Sequence, residues 1–125
     1  MEKLEIKETN ITPYVLLDQK KGTFKINGRS VPEDSVSFYE PVHKWFEEYK
    51  NNPHKTTHVH INLEYFNTSS SKALLDIFRV LNELYDSGND AKIVWYYEDG
   101  DEDMQEAGED YADLVNLPFE YVVLD

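Results

Sequence analysis

Apolar and polar positions alternate in short runs near the start of the chain, then recur at helical spacing, and the two periods take turns to the end. Residues 13–18, Pro-Tyr-Val-Leu-Leu-Asp, form an apolar run that predicts a strand. Gln19-Lys20-Lys21-Gly22 follows as a turn in which Gly22 is free to take positive φ. Thr23-Phe24-Lys25-Ile26-Asn27 alternates, so the two segments predict an opening hairpin, ended by Gly28 and Pro32. Phe38, Val42, Trp45, Phe46 and Tyr49 then fall on one stripe of an amphipathic helix. Ser37 and Glu40 have capping-box spacing, with Pro41 at the edge of that first turn.

The alternation returns over residues 56–63, where Thr57, Val59, Ile61 and Leu63 share one face and His58, His60 and Asn62 the other. Ala73, Leu74, Ile77, Phe78, Leu81 and Leu84 predict a second helix, and Gly88 is placed to end it. Residues 91–97 are a dense run of β-formers. An acidic loop from 98 to 103 leads into a third helix through about Asn116, with Met104, Ala107, Tyr111, Leu114 and Val115 on its buried side. Residues 119–124 close as a strand. The order ββ-α-β-α-β-α-β predicts one α/β domain, a mixed and mostly parallel sheet with three packed helices.

At 125 residues and 40% hydrophobic composition, the chain suits a single domain with a sizeable core. It has no cysteine, which excludes a disulfide scaffold, a thiolate metal site and a cysteine nucleophile, and fits a reducing cytosol. No apolar run approaches the roughly 20 residues that span a bilayer, and the first residues, MEKLEIKET, are charged from Glu2. A soluble cytoplasmic protein is expected. Charge is unevenly spread: residues 1–92 hold 12 basic and 14 acidic side chains, whereas 93–125 hold 11 acidic and none basic. No basic footprint for nucleic acid or an anionic membrane is visible, so proteins with basic surfaces are the expected partners.

The segment Asn67-Thr68-Ser69-Ser70-Ser71-Lys72 places four hydroxyls between a strand's carboxyl end and a helix's amino end. Free N–H groups and the helix dipole favour an anion there, and a phosphate on Thr68 would carry about −1.5 to −2 charges. The plainer reading makes Thr68 or one serine the N-cap, which explains one hydroxyl and leaves three. Ser69 and Lys72 also satisfy Ser-x-x-Lys, but the companion motifs of penicillin-recognising enzymes are absent, so a small Ser/Lys hydrolase is a secondary alternative. Asp99, Asp101, Asp103 and Asp110 echo a calcium loop whose glycine position is Met104, leaving at most weak divalent-cation binding. His58 and His60 share a strand face, and neither His43 nor His54 supplies a third zinc ligand at a convincing spacing. No phosphate-binding loop or nucleophile elbow occurs, so no cofactor is expected and any phosphate on Thr68 must come from another protein.

Several strings are more specific than composition. Gly28-Arg29-Ser30-Val31-Pro32-Glu33, Phe38-Tyr39-Glu40-Pro41 and Leu63-Glu64-Tyr65-Phe66-Asn67-Thr68-Ser69-Ser70-Ser71-Lys72 are three of them. Trp95-Tyr96-Tyr97, Asp101-Glu102-Asp103-Met104 and Ala107-Gly108-Glu109-Asp110-Tyr111 complete the set, and together they resemble the SiaC family of bacterial regulatory phosphoproteins. The resemblance runs from about residue 11 to the end, which divides the chain into an N-terminal extension, 1–10, and a domain, 11–125. It implies a STAS-like fold of the anti-sigma-factor-antagonist type and a non-catalytic role. It further implies a partner-switching cycle: a Ser/Thr kinase of the anti-sigma-factor type phosphorylates the threonine matching Thr68, and a PP2C-like phosphatase reverses it. In that cycle the unphosphorylated form binds an effector, a diguanylate cyclase in the best-known members, and so promotes cyclic-di-GMP signalling and biofilm formation. Glu64, Tyr65, Phe66, Asn67, Ser69, Ser70, Ser71 and Lys72 are the expected partner-binding residues around Thr68.

Overall fold

Three antiparallel strands open the chain, and three strand–helix–strand crossovers follow. A computed structural model describes all of Met1–Asp125. The strands are β1 (Leu4–Ile6), β2 (Tyr14–Asp18), β3 (Thr23–Ser30), β4 (Thr56–Phe66), β5 (Asp90–Glu98) and β6 (Phe119–Leu124). The helices are α1 (Ser35–Tyr49), α2 (Thr68–Asp86) and α3 (Glu102–Leu114). The single sheet runs β1-β2-β3-β4-β5-β6, antiparallel through β3 and parallel from β3 to β6. Each crossover steps to the next strand in the same direction, and right-handed connections then put every helix on one face. One core of 24 residues lies between that face and the helices. Lys25, His58, His60, Asn62 and Tyr96 point to the helix-free face, as the alternation in β4 predicts.

Four departures from the predicted elements have physical causes. β1 lies within residues 1–10, where no period was visible; three residues are too few to show one, and pairing with β2 supplies the structure. β3 does not end at Gly28. Its register shifts between Gly28 and Arg29, pairing Gly28 with Leu63 and Arg29 with Tyr65, so Glu64 is the extra residue of a bulge. Gly28 takes φ +118 there, and a Cβ would come within 2.5 Å of the Glu8 carboxylate. α1 is capped by Asp34, whose carboxylate accepts from Ser37 N–H at 3.1 Å, and not by Ser37. Pro41 therefore sits inside α1, on the solvent side, where the Ser37 carbonyl it leaves unbonded can reach water.

α3 stops at Leu114, two residues short of the predicted end, because Val115 is extended. Asn116 and Leu117 N–H both donate to Asn82 Oδ1 at 2.8 Å, and Leu117 is buried. Leu114, expected on the buried side, is 57% exposed as a result. Gly108 lies mid-helix for a packing reason: a Cβ there would stand 2.6 Å from the Trp95 ring, whose indole N–H donates to Met104 O at 2.9 Å.

Candidate functional site: the head of the second helix

The bulge at Glu64 ends the regular pairing of β4, and the chain turns at Asn67 into α2. Asn67 is the N-cap: its Oδ1 accepts from Ser70 N–H at 2.9 Å, and its carbonyl from Ser71 N–H at 3.0 Å. Neither Thr68 nor a serine caps the helix, so the capping reading of the hydroxyls gives way to a different account of each. Ser70 is fully buried, with its Oγ 2.8 Å from Ser30 Oγ and 3.2 Å from Ser35 Oγ. Ser30 Oγ in turn lies 2.6 Å from Tyr39 OH. Ser69 Oγ is 2.7 Å from Ser35 Oγ and donates to Asn67 Oδ1 at 3.3 Å. Tyr111 OH donates to Ser71 O at 2.8 Å, which leaves Ser71 Oγ as the donor to Tyr111 at 3.0 Å. The three serines thus tie the head of α2 to β3, α1 and α3.

Thr68 is the exception. It is exposed, and its hydroxyl bonds to nothing in the protein. It stands at the mouth of a groove of about 380 Å³ between α2 and α3, floored by Phe66, Leu75, Ala107 and Leu114 and closed by Tyr111. Lys72, exposed and without an ion pair, lines this groove one turn along α2; Asp110 faces it from α3. Lys72 and Ser69 also border a second groove, of about 410 Å³, between α1 and α2, where Val36 is 74% exposed. On the other flank, Tyr65 is 50% exposed with the Arg29 guanidinium 5.2 Å from its ring centroid, and Glu64 is exposed beside it. Burial pushes the phenols of Tyr39 and Tyr111 up to about 12, so both stay protonated and available to the serine network.

The expected partner-binding residues are therefore gathered at one corner, with different access. Glu64, Tyr65, Thr68, Ser69 and Lys72 are exposed, Phe66, Asn67 and Ser71 half-buried, and Ser70 reaches a partner only through the scaffold. Sequence reasoning missed Ser30, Ser35, Tyr39, Asp110 and Tyr111 as parts of this corner. Four of the five lie in the strings that carry the family resemblance, but spacing along the chain cannot show that they converge.

The other motifs do not assemble. Ser69 Oγ is engaged by Ser35 and Asn67, not by the Lys72 amine. Asp101 is the N-cap of α3, accepting from Met104 N–H at 3.1 Å, and the helix occupies the would-be calcium loop. His60 Nδ1 pairs with Tyr96 OH at 2.8 Å, and His58 Nε2 lies 3.9 Å from Asp90. No three His, Asp or Glu side chains converge as a metal site, and no helix is long and apolar enough to cross a membrane.

Comparison with known proteins agrees over the whole chain. The family model described as SiaC family regulatory phosphoprotein matches residues 6–124. An uncharacterised protein of Pseudomonas aeruginosa (strain UCBPP-PA14) is 30% identical over 119 residues, 95% of this chain and 94% of that protein. The structure of SiaC of Pseudomonas aeruginosa superposes with a TM-score of 0.91 at 28% identity, covering 99% of this chain and 100% of that one. A crystal structure of the diguanylate cyclase SiaD in complex with its activator SiaC, from the same organism, matches at TM-score 0.91 and 29% identity over 97% of this chain and 99% of that one. With its sequence matched from residue 6 to 124 and its fold shared end to end, this chain belongs to the SiaC family of regulatory phosphoproteins.

Proposed function

We propose that this protein is a cytoplasmic, non-catalytic switch whose unphosphorylated form binds and activates a diguanylate cyclase. A Ser/Thr kinase of the anti-sigma-factor type phosphorylates Thr68 and a PP2C-like phosphatase restores it. The observation that carries the reading is the inequality among the four hydroxyls. Three are bonded into the scaffold, while Thr68 stands free and exposed at a helix start beside an apolar groove. Small polar groups flanked by Tyr65, Phe66 and Leu114 make an anchoring surface for a partner. A phosphate placed in it brings a dianion that the partner must desolvate, and shifting binding tenfold needs only about 1.4 kcal/mol.

The test combines intact-mass analysis with cyclase output. Incubation with the cognate kinase and ATP should add one phosphate to the parent and none to Thr68→Ala. Purified cyclase should make more cyclic-di-GMP with the parent and Thr68→Ala than with the phosphorylated protein. Phosphate persisting on Thr68→Ala, or equal stimulation by both forms, defeats the proposal.

A further inference from the structure

β6 has β5 on one side and no strand on the other. Two hydrogen bonds show which of its main-chain groups are free: Ile93 N–H donates to Pro118 O at 3.0 Å, and Asp99 N–H to Leu124 O at 2.8 Å. A strand residue turns its N–H and C=O to the same side, and the side alternates along the strand. Positions 118, 120, 122 and 124 therefore face β5, while Phe119, Tyr121 and Val123 present unpaired groups to the open edge.

Exposed edges are usually guarded by shortness, lysine, proline or a bulge. The opposite edge follows that rule, since β1 has three residues with Lys3 and Lys7 flanking it. β6 follows none of it. Its six residues, Phe-Glu-Tyr-Val-Val-Leu, include no lysine or proline, and their register with β5 is unbroken. Tyr121 is 38% and Val123 48% exposed on the helix side of this edge. The Tyr121 hydroxyl donates to Gly108 O at 3.3 Å, and burial, then the charges of Glu109 and Asp113, raises its phenol above the usual range. Glu109 is the next residue of α3 after Gly108, and Asp113 lies one turn further along, both exposed, so these carboxylates flank the point where Tyr121 meets the helix.

We propose that β6 docks an extended basic segment of a partner protein, added as a further strand with Lys or Arg at alternate positions over Glu109 and Asp113. Charge argues for this occupant over a second copy: residues 93–125 hold 11 acidic and no basic side chains, so edge-to-edge pairing of two copies sets like charge against like. Main-chain bonds supply the affinity and the acidic flank the choice of partner. The proposal stands apart from the phosphoswitch, because no part of it involves Thr68.

The probe is a labelled, end-blocked peptide of alternating Lys and Val, about eight residues long, with a Glu-for-Lys peptide as control. Fluorescence anisotropy on the full chain should show binding of the Lys peptide only, weakening with salt. Amide hydrogen exchange should slow at 119, 121 and 123. Val123→Pro removes one outward N–H and no bond to β5, and should weaken binding about tenfold or more. Glu109→Lys with Asp113→Lys should do the same and flatten the salt dependence, and the amide protection at 119, 121 and 123 in the parent decides the matter should Val123→Pro fold poorly. Thr68→Ala should bind as the parent does. Equal binding by Val123→Pro and parent would show mere charge adhesion and overturn the proposal. So would protection confined to other amides, or concentration-dependent dimers with β6 amides protected in the absence of peptide.

Discussion

Alanine substitution of the four hydroxyl residues, one at a time, should give unequal costs in a stated order. Ser70→Ala removes a buried hydroxyl that touches Ser30 Oγ, Ser30 O and Ser35 Oγ at 2.8, 3.2 and 3.2 Å. None of those partners is orphaned: Ser30 Oγ keeps Tyr39 OH, Ser30 O keeps Asn67 N–H, and Ser35 Oγ keeps Ser69. The loss is then that of one or two net hydrogen bonds, about 1–2 kcal/mol, not the larger penalty of a stranded buried polar group. Ser71→Ala, whose partner Tyr111 retains the Ser71 carbonyl, should cost about 0.5–1 kcal/mol, and the more exposed Ser69→Ala about as much or less. Thr68→Ala breaks nothing and should fall within about 0.5 kcal/mol of the parent.

Urea unfolding at constant m reads these differences as midpoint shifts, and for a chain of this size each kcal/mol moves Tm by about 3–5 °C. A double variant, Ser70→Ala with Ser35→Ala, should be non-additive by about 0.5 kcal/mol or more, since the two share a network. The same proteins separate scaffold from signal, because Ser70→Ala should still accept phosphate at Thr68. A Thr68→Ala cost equal to that of Ser70→Ala would refute the division of labour among the hydroxyls, as would a Ser70→Ala cost near zero.

Gly108→Ala should destabilise by about 1–2 kcal/mol in urea despite alanine's better helix propensity, because its Cβ would stand 2.6 and 2.7 Å from two atoms of the buried Trp95 ring. A stabilised variant would refute that packing. Alkaline pH should erode stability: Tyr39 and Tyr111 hold their protons to about 12 in the fold against an ordinary 10. Between those values the unfolded chain binds fewer protons, so the contribution is whole below pH 10 and falls as pH rises through 12. Urea midpoints that stay level across that window would contradict the burial argument. Asp34→Ala should lower helicity and stability and remove part of their acid sensitivity, since bonds from Ser37 hold this carboxyl below its usual range and protonation weakens them. Circular dichroism against pH measures it.

Element order from β2 onward and the faces of the central strands were legible in the sequence because burial on one side imposes a strict period. Thr57, Val59, Ile61 and Leu63 are buried while His58, His60 and Asn62 are not, as the alternation requires. Ends were less legible because they depend on contacts distant in sequence. α3 stops where Asn82, on α2, takes two N–H groups, and β3 outlasts Gly28 because the bulge in β4 absorbs the extra residue. The corner around Thr68 was half legible: the hydroxyl run and its place at a helix start are local facts, while its partners at 30, 35, 39 and 111 come from three other elements. Local pattern showed that four hydroxyls needed explaining, and only the tertiary contacts could divide them.

That division bears on how a phosphate at Thr68 could act. Thr68 is the first residue of α2, and the N–H groups of Ser70 and Ser71 are already taken by Asn67. The remaining first-turn N–H groups, the positive end of the helix dipole and the Lys72 ammonium one turn on would all favour a dianion at that place. Asp110, which lines the same groove from α3, would oppose it. The chain's own groups therefore favour the added charge more than they oppose it, and Ser70, whose bonds hold α2 against β3 and α1, is buried away from it. A switch that worked by melting the helix would need its phosphate on Ser70, where burial forbids it. Placed on Thr68, as proposed, the charge would leave the bonds of Ser70 intact and change what can lie against Phe66, Leu75 and Leu114, so the signal would be read from outside, by whatever occupies that groove.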